Sequence, residues 1–432
     1  MAQRYDTYKD SGVQWLGEIP GHWGGTTMGR IISSPLQYGA SESGDSIEHS
    51  GDWRYIRITD ITLDGKLKHE GQKFLPQEIA ELYPLKHGDL LFARSGATVG
   101  KSYLFKESIN ACFAGYLIKA RMDKEIALPE YVSFFTKSVQ YDEWKNRIFI
   151  QATIQNIGAD KYSRLYIPLP PLSEQRAIVD YLDDKCGKID EWIEKKQKEV
   201  ELLGEMKQRV IADAVTRGLN TNVKMKPTNI PWLPEVPEHW ECVRLKALFN
   251  QRNESYSPYE QLQVLSLLKD VGVIPYSEKG NIGNKAKEDY SSYNVTRKGD
   301  IVMNSMNVII GSVDITNYDG YISPAYYALY AKEGVSTEYY NYIFHMKACQ
   351  KHMRSLANGI LEIRLRISTT NLFGMSYPVP PLSEQREIVA YIADKTAKID
   401  KMVENVNKEI ENLKEYKQRL ISDVVTGQIK VC

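Results

Sequence analysis

The chain has 432 residues, 42% of them apolar, which is too long for one ordinary hydrophobic core and enough apolar matter for two or more. Lys plus Arg and Asp plus Glu each total 55, so net charge alone points to no polyanionic partner. No run approaches the about 18 consecutive apolar residues of a membrane span, the start lacks a secretion-signal layout, and five scattered cysteines and seven histidines show no disulfide or metal-ligand spacing. The expectation is a cytoplasmic protein with no membrane segment and no metal site.

In chain order, "WLGEIPGHW" at Trp15 to Trp23 comes first, followed by short strand-like runs: "YIRITDI", "DLLFAR" and "CFAGYLIKA". Turn signals separate them, and one helix is expected after Pro129, so residues 1–167 read as an α+β domain. Within it "SGATVGKSY" imitates a phosphate-binding loop. Only three residues separate Gly96 from Gly100 where that loop needs four, so Arg94, Ser95 and Lys101 are read as a strand-end loop that could touch DNA. A nucleotide hydrolase using Lys101 is the enzyme alternative. Further on, "EWKNRIFIQATIQNIG" offers Lys145, Arg147, Gln151, Thr153, Gln155 and Asn156, side chains able to meet phosphates or base edges.

"PPLSEQR" at Pro170 to Arg176 then opens a long helix over 168–218, with Ser173 expected as its N-cap and Glu174 favouring the positive end of the dipole. A 4-3 seam follows through Ile178, Leu182, Cys186, Ile189, Ile193, Lys196, Val200, Leu203, Lys207, Val210 and Ala214, the spacing of coiled coils. Lys207 is either a polar seam residue that fixes register or a side chain snorkelling from the seam edge.

The remainder repeats this order. "WLPEVPEHW" at Trp232 to Trp240 introduces a second α+β region, 222–377, with strand runs "VLSLLKD", "DIVMNS" and "YYALYAK" and a helix expected from about Thr337 to Leu356. Residues 217–380 hold 18 basic against 15 acidic residues, and Lys351, Arg354, Arg364 and Arg366 make a basic helix and loop suited to phosphate. Asn304 and Asn307 are the candidate strand-end contacts. "PPLSEQR" returns at Pro380 to Arg386 and opens a helix over 378–428. Its seam runs Ile388, Ile392, Thr396, Ile399, Val403, Val406, Ile410, Leu413, Lys417, Leu420 and Val424. Residues 168–218 and 378–428 align without a gap at an offset of 210, with 29 of 51 positions identical, so the chain is duplicated. Weaker echoes pair "HGDLLF" with "KGDIVM" and "PEYVSFF" with "TEYYNYI".

Two rods with apolar stripes should pack on each other, and related copies about a pseudo-twofold axis would run antiparallel. The expected fold is α+β: two recognition-type domains separated by two long helices in an antiparallel coiled coil. The catalytic signatures sought (HExxH, GxSxG, an N/D-PP-Y/F tetrapeptide) are missing, which favours a non-catalytic recognition protein. A coiled-coil scaffold with protein-binding ends is the alternative.

On "YKDSGVQWLGEIPGHW", "IPLPPLSEQRAIVDYLDDKCGKID", "YPVPPLSEQREIVAYIADKTAKID" and the variable-constant-variable-constant order, the chain resembles the DNA-specificity subunits of bacterial and archaeal type I restriction-modification systems. The resemblance implies two target-recognition domains, each reading half of a split double-stranded DNA site. The paired helices would set the gap and dock two modification (methyltransferase) subunits, with two restriction subunits in the larger assembly. It implies no cofactor in this chain: S-adenosylmethionine belongs to the partner that methylates adenine N6, and ATP and Mg to the restriction subunit.

Overall fold

In the computed structural model, which describes residues 3–62, 65–96, 98–150, 155–280, 289–358 and 365–431, the repeated segments form helices Leu172–Arg217 and Leu382–Val425. At about 1.5 Å per residue, 46 and 44 residues make rods of roughly 69 and 66 Å. The helices start two residues earlier than the expected serine caps. The amides of Gln175 and Gln385 donate to the carbonyls of Pro171 and Pro381, both at 2.9 Å, so these prolines hold the cap position. Ser173 and Ser383 lie inside the first turn instead.

Contacts divide the chain into two units: residues 1–197 with 407–432, and residues 198–406. This cut passes through the rods, so each unit holds the head of one long helix and the tail of the other. In the first unit Lys417 meets Asp190 at 2.6 Å and Lys196 meets Glu409 at 2.8 Å. In the second, Lys207 meets Asp400 at 2.7 Å, and Ala214 and Val215 share a core with Ile388 and Ile392. Numbers rise on one helix as they fall on the other, so the helices pair antiparallel. Between Gly187 and Val210, every residue off the seam is exposed, while Ile189 is buried and Ile193, Lys196, Val200, Leu203, Lys207 and Val210 are half-buried or nearly so. The second helix repeats this: Ile399, Val406 and Ile410 are buried, Val403, Leu413 and Lys417 partly so.

The globular part of the first unit contains a four-stranded sheet in the order Gln37–Tyr38, Leu117–Arg121, Asp89–Ala93, Ser102–Leu104. A three-stranded sheet, in which Trp53–Ile56 runs parallel to Ala111–Phe113, packs beside it. The second unit repeats the first sheet with Phe249–Gln251, Tyr326–Ala331, Ile301–Asn304 and Val313–Ile315 in the same order. The single helix expected in each domain is broken in two: Pro129–Phe135 then Val139–Ile150, and Thr337–His345 then Lys347–Ser355. In the second domain Met346 takes an extended backbone (φ −68°, ψ 130°), and the break lets Tyr339, Tyr340 and Ile343 on one piece and Cys349 and Met353 on the next each turn toward the core.

Candidate nucleic-acid interface

Two strand pairs fix where the globular domains meet the rods. Gly24–Thr27, which follows "GHW", pairs antiparallel with Tyr166–Leu169, which precedes "PPLSEQ", and Leu169 lies opposite Gly24. In the second unit Glu241 lies opposite Val379 in the matching pair. The two repeated words are thereby laid side by side. Glu174 accepts from the Trp23 indole at 2.8 Å and lies 2.6 Å from His22 Nε2; Glu384 accepts from Trp240 at 3.0 Å and lies 2.9 Å from His239 Nε2.

The next residue of the word is wholly buried in both copies. Gln175 Oε1 accepts from the Leu128 amide at 2.8 Å, while its Nε2 donates to the Ile126 and Pro170 carbonyls. Gln385 does the same with the Ser336 amide and the Gly334 and Pro380 carbonyls. The tail of the opposite helix closes the joint. Tyr131 donates to the Val425 carbonyl at 3.1 Å and Tyr339 to the Val215 carbonyl at 2.8 Å, satisfying acceptors that a helix end leaves open. Both tails finish on a left-handed glycine packed against the same tryptophans: Gly427 (φ 73°) on Trp23 and Gly218 (φ 71°) on Trp240. Residue-by-residue reading missed this joint. Its signal was that the strongest likeness between the copies falls on two islands of sequence, with "PEYVSFF" and "TEYYNYI" as a weaker third.

The candidate contacts gather at the far end of each central strand. Its near end is anchored by the echoed "GD". Asp89 takes a bidentate Arg121 at 2.7 Å and the Lys86 amide at 2.8 Å, and Asp300 takes Arg252 at 2.6 and 2.9 Å and the Arg297 amide at 2.9 Å. The neighbouring aspartate holds the Arg121 guanidinium above its ordinary pKa. With one end pinned, the strand delivers its last residues to a defined place.

In the first domain that place holds Arg94, Ser95, Gln155 and Asn156. The Arg94 carbonyl accepts from the Ile157 amide at 2.8 Å, and Ser95 forms a bridge with Asn156. The Arg94 guanidinium lies 4.9 Å from the centre of the Tyr38 ring, while Arg94 Nε and Asn156 Oδ1 are buried without a hydrogen-bond partner. Gln155 is exposed. Lys101 donates to the Ile61 carbonyl at 2.9 Å, and Lys145 crosses Gly100 to reach Asp142 at 2.7 Å. Arg147 leans to Gln14 at 3.0 Å. Gln151 and Thr153 lie outside the described residues.

In the second domain the Ser305 carbonyl accepts from Ile367 at 3.0 Å, the counterpart of the Arg94 to Ile157 bond. Asn358 and Arg366 exchange two 2.9 Å backbone bonds, which brings Arg366 near the strand end. Asn304 is buried and caps the Met306 amide with Oδ1 at 3.1 Å, whereas Asn307 is exposed in the turn that follows. Lys351 and Arg354 stand on the exposed face of helix Lys347–Ser355, opposite buried Cys349 and Met353. Arg364 lies outside the described residues. Each strand end thus assembles amide and guanidinium groups, the donor set that meets base edges and phosphates.

Comparison with known proteins agrees with this layout. The model of the type I restriction modification DNA specificity domain matches twice, at residues 35–202 and 237–412. The MjaVIII type I restriction enzyme specificity subunit of Methanocaldococcus jannaschii is 23% identical over 90% of this chain and 92% of its own length. The StySPI specificity subunit of Salmonella potsdam is also 23% identical, over 87% and 82%. Among solved structures, the HsdS subunit of Thermoanaerobacter tengcongensis is similar at a TM-score of 0.53 and 18% identity, covering 95% of this chain and 98% of that one. A chain from work on complex assembly and conformational transition of the type I R-M system reaches 0.68 at 17% identity, covering 95% and 99%.

Proposed function

We propose, given that the chain belongs to the type I restriction-modification DNA specificity family, that each α+β domain reads one half of a split double-stranded DNA site while the paired helices hold the two readings at a set interval. The single observation that carries this is the duplication of the joint: Trp23, Glu174 and Gln175 in one unit and Trp240, Glu384 and Gln385 in the other fix two unlike strand-end surfaces to one shared rod. The readers are Arg94, Ser95, Gln155 and Asn156 at one end and Asn304, Asn307 and Arg366 at the other. Lys351 and Arg354, exposed on helix Lys347–Ser355, act toward phosphates, whereas Lys101, Lys145 and Arg147 are engaged by Ile61, Asp142 and Gln14. The chain is the recognition part of its complex, and the chemistry belongs to partners: S-adenosylmethionine to the methyltransferase, ATP and Mg to the restriction subunit.

Two methyltransferase subunits would dock on the rod. Supporting this, Trp192 and Tyr416 in the first unit and Met206 and Met402 in the second stand more than half exposed on helix flanks, at positions related by the same offset of 210. A large apolar side chain kept in water in both copies is a mark of a covered surface.

The test is co-expression with the methyltransferase encoded alongside, followed by genome-wide mapping of methyladenine. A bipartite motif is expected, and exchange of residues 222–377 for another domain changes one half of it only. A single undivided motif, or a change in both halves, overturns the reading.

A further inference from the structure

Residues 114–117 of the first unit and 323–326 of the second make the same turn, leading into strands Leu117–Arg121 and Tyr326–Ala331. The Leu117 amide donates to the Ala114 carbonyl at 2.8 Å and the Tyr326 amide to the Ser323 carbonyl at 2.9 Å. Arg94 and Ser305, at the two central strand ends, donate their amides to the carbonyls of Tyr116 and Ala325 at 3.0 and 3.1 Å. The third position of the turn is thus tyrosine in one reader and alanine in the other. Tyr116 stands 67% exposed, so its ring forgoes the gain that burying so large an apolar surface would bring.

The turn that carries this ring is firmly held. The Gly115 amide donates to the Ala40 carbonyl at 2.6 Å and the Ala40 amide to the Phe113 carbonyl at 2.9 Å. These backbones lie so close that a Cβ on Gly39 would collide with the Phe113 and Ala114 carbonyls. Register decides the ring's neighbours. Phe92 lies opposite Ile118 and Ala93 opposite Leu117, so the next step sets Arg94 opposite Tyr116, as the bond between their backbones confirms. Side chains alternate between the faces of a sheet, which puts Arg94, Tyr116 and Tyr38, itself opposite Ile118, on one face. Arg94 lies against the Tyr38 ring, whose hydroxyl accepts from the Ala159 amide at 3.0 Å, and Tyr116 is its cross-strand neighbour.

A duplex offers such a ring few apolar partners. Base faces are stacked on one another, and base edges are polar except for the C5-methyl group that each thymine turns into the major groove. We propose that the Tyr116 ring packs on a thymine methyl in the half-site read by the first domain and so selects a T·A pair there, a contact the second domain lacks because Ala325 takes the position. The inference rests on the DNA-reading function and deepens it: Tyr116 adds an apolar readout beside the polar one of Arg94, Gln155 and Asn156.

The experiment measures binding of the full chain, complexed with its methyltransferase, to duplexes carrying the mapped motif. Each thymine of the first half-site is replaced in turn by deoxyuridine, which deletes the methyl group and leaves the hydrogen-bonding edges intact. At one position the wild-type complex should bind about fourfold more weakly, the factor for one methyl group removed from an apolar contact. Tyr116→Ala should bind the unaltered duplex about fourfold more weakly and no longer distinguish thymine from deoxyuridine at that position. Tyr116→Phe, which keeps the ring, should behave as wild type, and deoxyuridine in the second half-site should act alike on wild type and Tyr116→Ala. If no thymine position shows an effect, or the deoxyuridine effect survives in Tyr116→Ala, the proposal is overturned. A Tyr116→Phe complex as weak as Tyr116→Ala would make the hydroxyl the contact, and an equal loss on all sequences would make Tyr116 a backbone contact; either result also overturns it. No sequence preference in the wild-type complex would strike the DNA-reading function itself, whereas a bipartite motif without a thymine effect strikes this proposal alone.

Discussion

The Lys207 ammonium lies 2.7 and 2.8 Å from the two carboxylate oxygens of Asp400, and adding 210 to one number while subtracting it from the other gives the bond from Lys417 to Asp190, at 2.6 Å. Each lysine leaves an apolar seam to reach an aspartate on the other helix, so the seam lysine both snorkels and pairs. Pairs this exposed contribute at most about 1 kcal/mol each, less than an apolar side chain gains in a seam. The double variant Lys207→Leu with Lys417→Leu should therefore melt several degrees higher in thermal unfolding. A lower melting temperature would mean that the ion pairs hold the rods together.

Gln175 and Gln385 are fully buried and each fills three backbone hydrogen-bonding positions. Gln175→Leu leaves the Leu128 amide and two carbonyls unmet, which should cost about 2–4 kcal/mol by urea unfolding. Gln175→Glu should be at least as damaging, because it removes the donor and buries a charge. Near-neutral values for both would show that water replaces the side chain and that the joint is loose.

Burial pushes Lys119 down to about 8, although its ammonium donates to the Pro84 carbonyl at 2.9 Å. An unfolded lysine keeps its proton to about 10.4, so between these values the unfolded state binds more protons and stability rises with pH. Below about pH 8 the full cost of the buried charge is present. Lys119→Met removes that cost and leaves one carbonyl unmet, so at pH 7 it should be more stable by about 1–2 kcal/mol, with the advantage vanishing toward pH 10. Parallel stability curves for the two proteins between pH 7 and 10 would refute the assignment.

If the rods set the interval between half-sites, seven residues inserted between Ile193 and Val200 and seven more between Val403 and Ile410 preserve the seam and lengthen each helix by about 10 Å. The gap in the methylated motif should grow by about three base pairs, at 3.4 Å each along a strand. Methylation that keeps its original gap would remove the ruler role.

The rods were legible because their determinants are local: a residue's place in the 4-3 seam predicts its exposure from Gly187 to Val210 without any knowledge of its partner. The joint was not. Glu174 reads as a helix-dipole acid, and nothing nearby in sequence announces Trp23, brought 151 positions by a strand pair. The same limit acts at the strand ends. Lys145 and Arg147 look like free cations in the sequence, but the fold gives them Asp142 and Gln14. Conversely, Asn358 joins Arg366 only through a backbone bridge that no motif encodes. Breaking each expected helix at its middle likewise depends on tertiary demand, since the second piece must aim Cys349 and Met353 inward.

Because Trp23, Glu174 and Gly427 make the same fitting as Trp240, Glu384 and Gly218, the two sockets are interchangeable parts. A domain carrying the matching residues would seat on either helix head, and exchanging the two domains would leave both fittings intact.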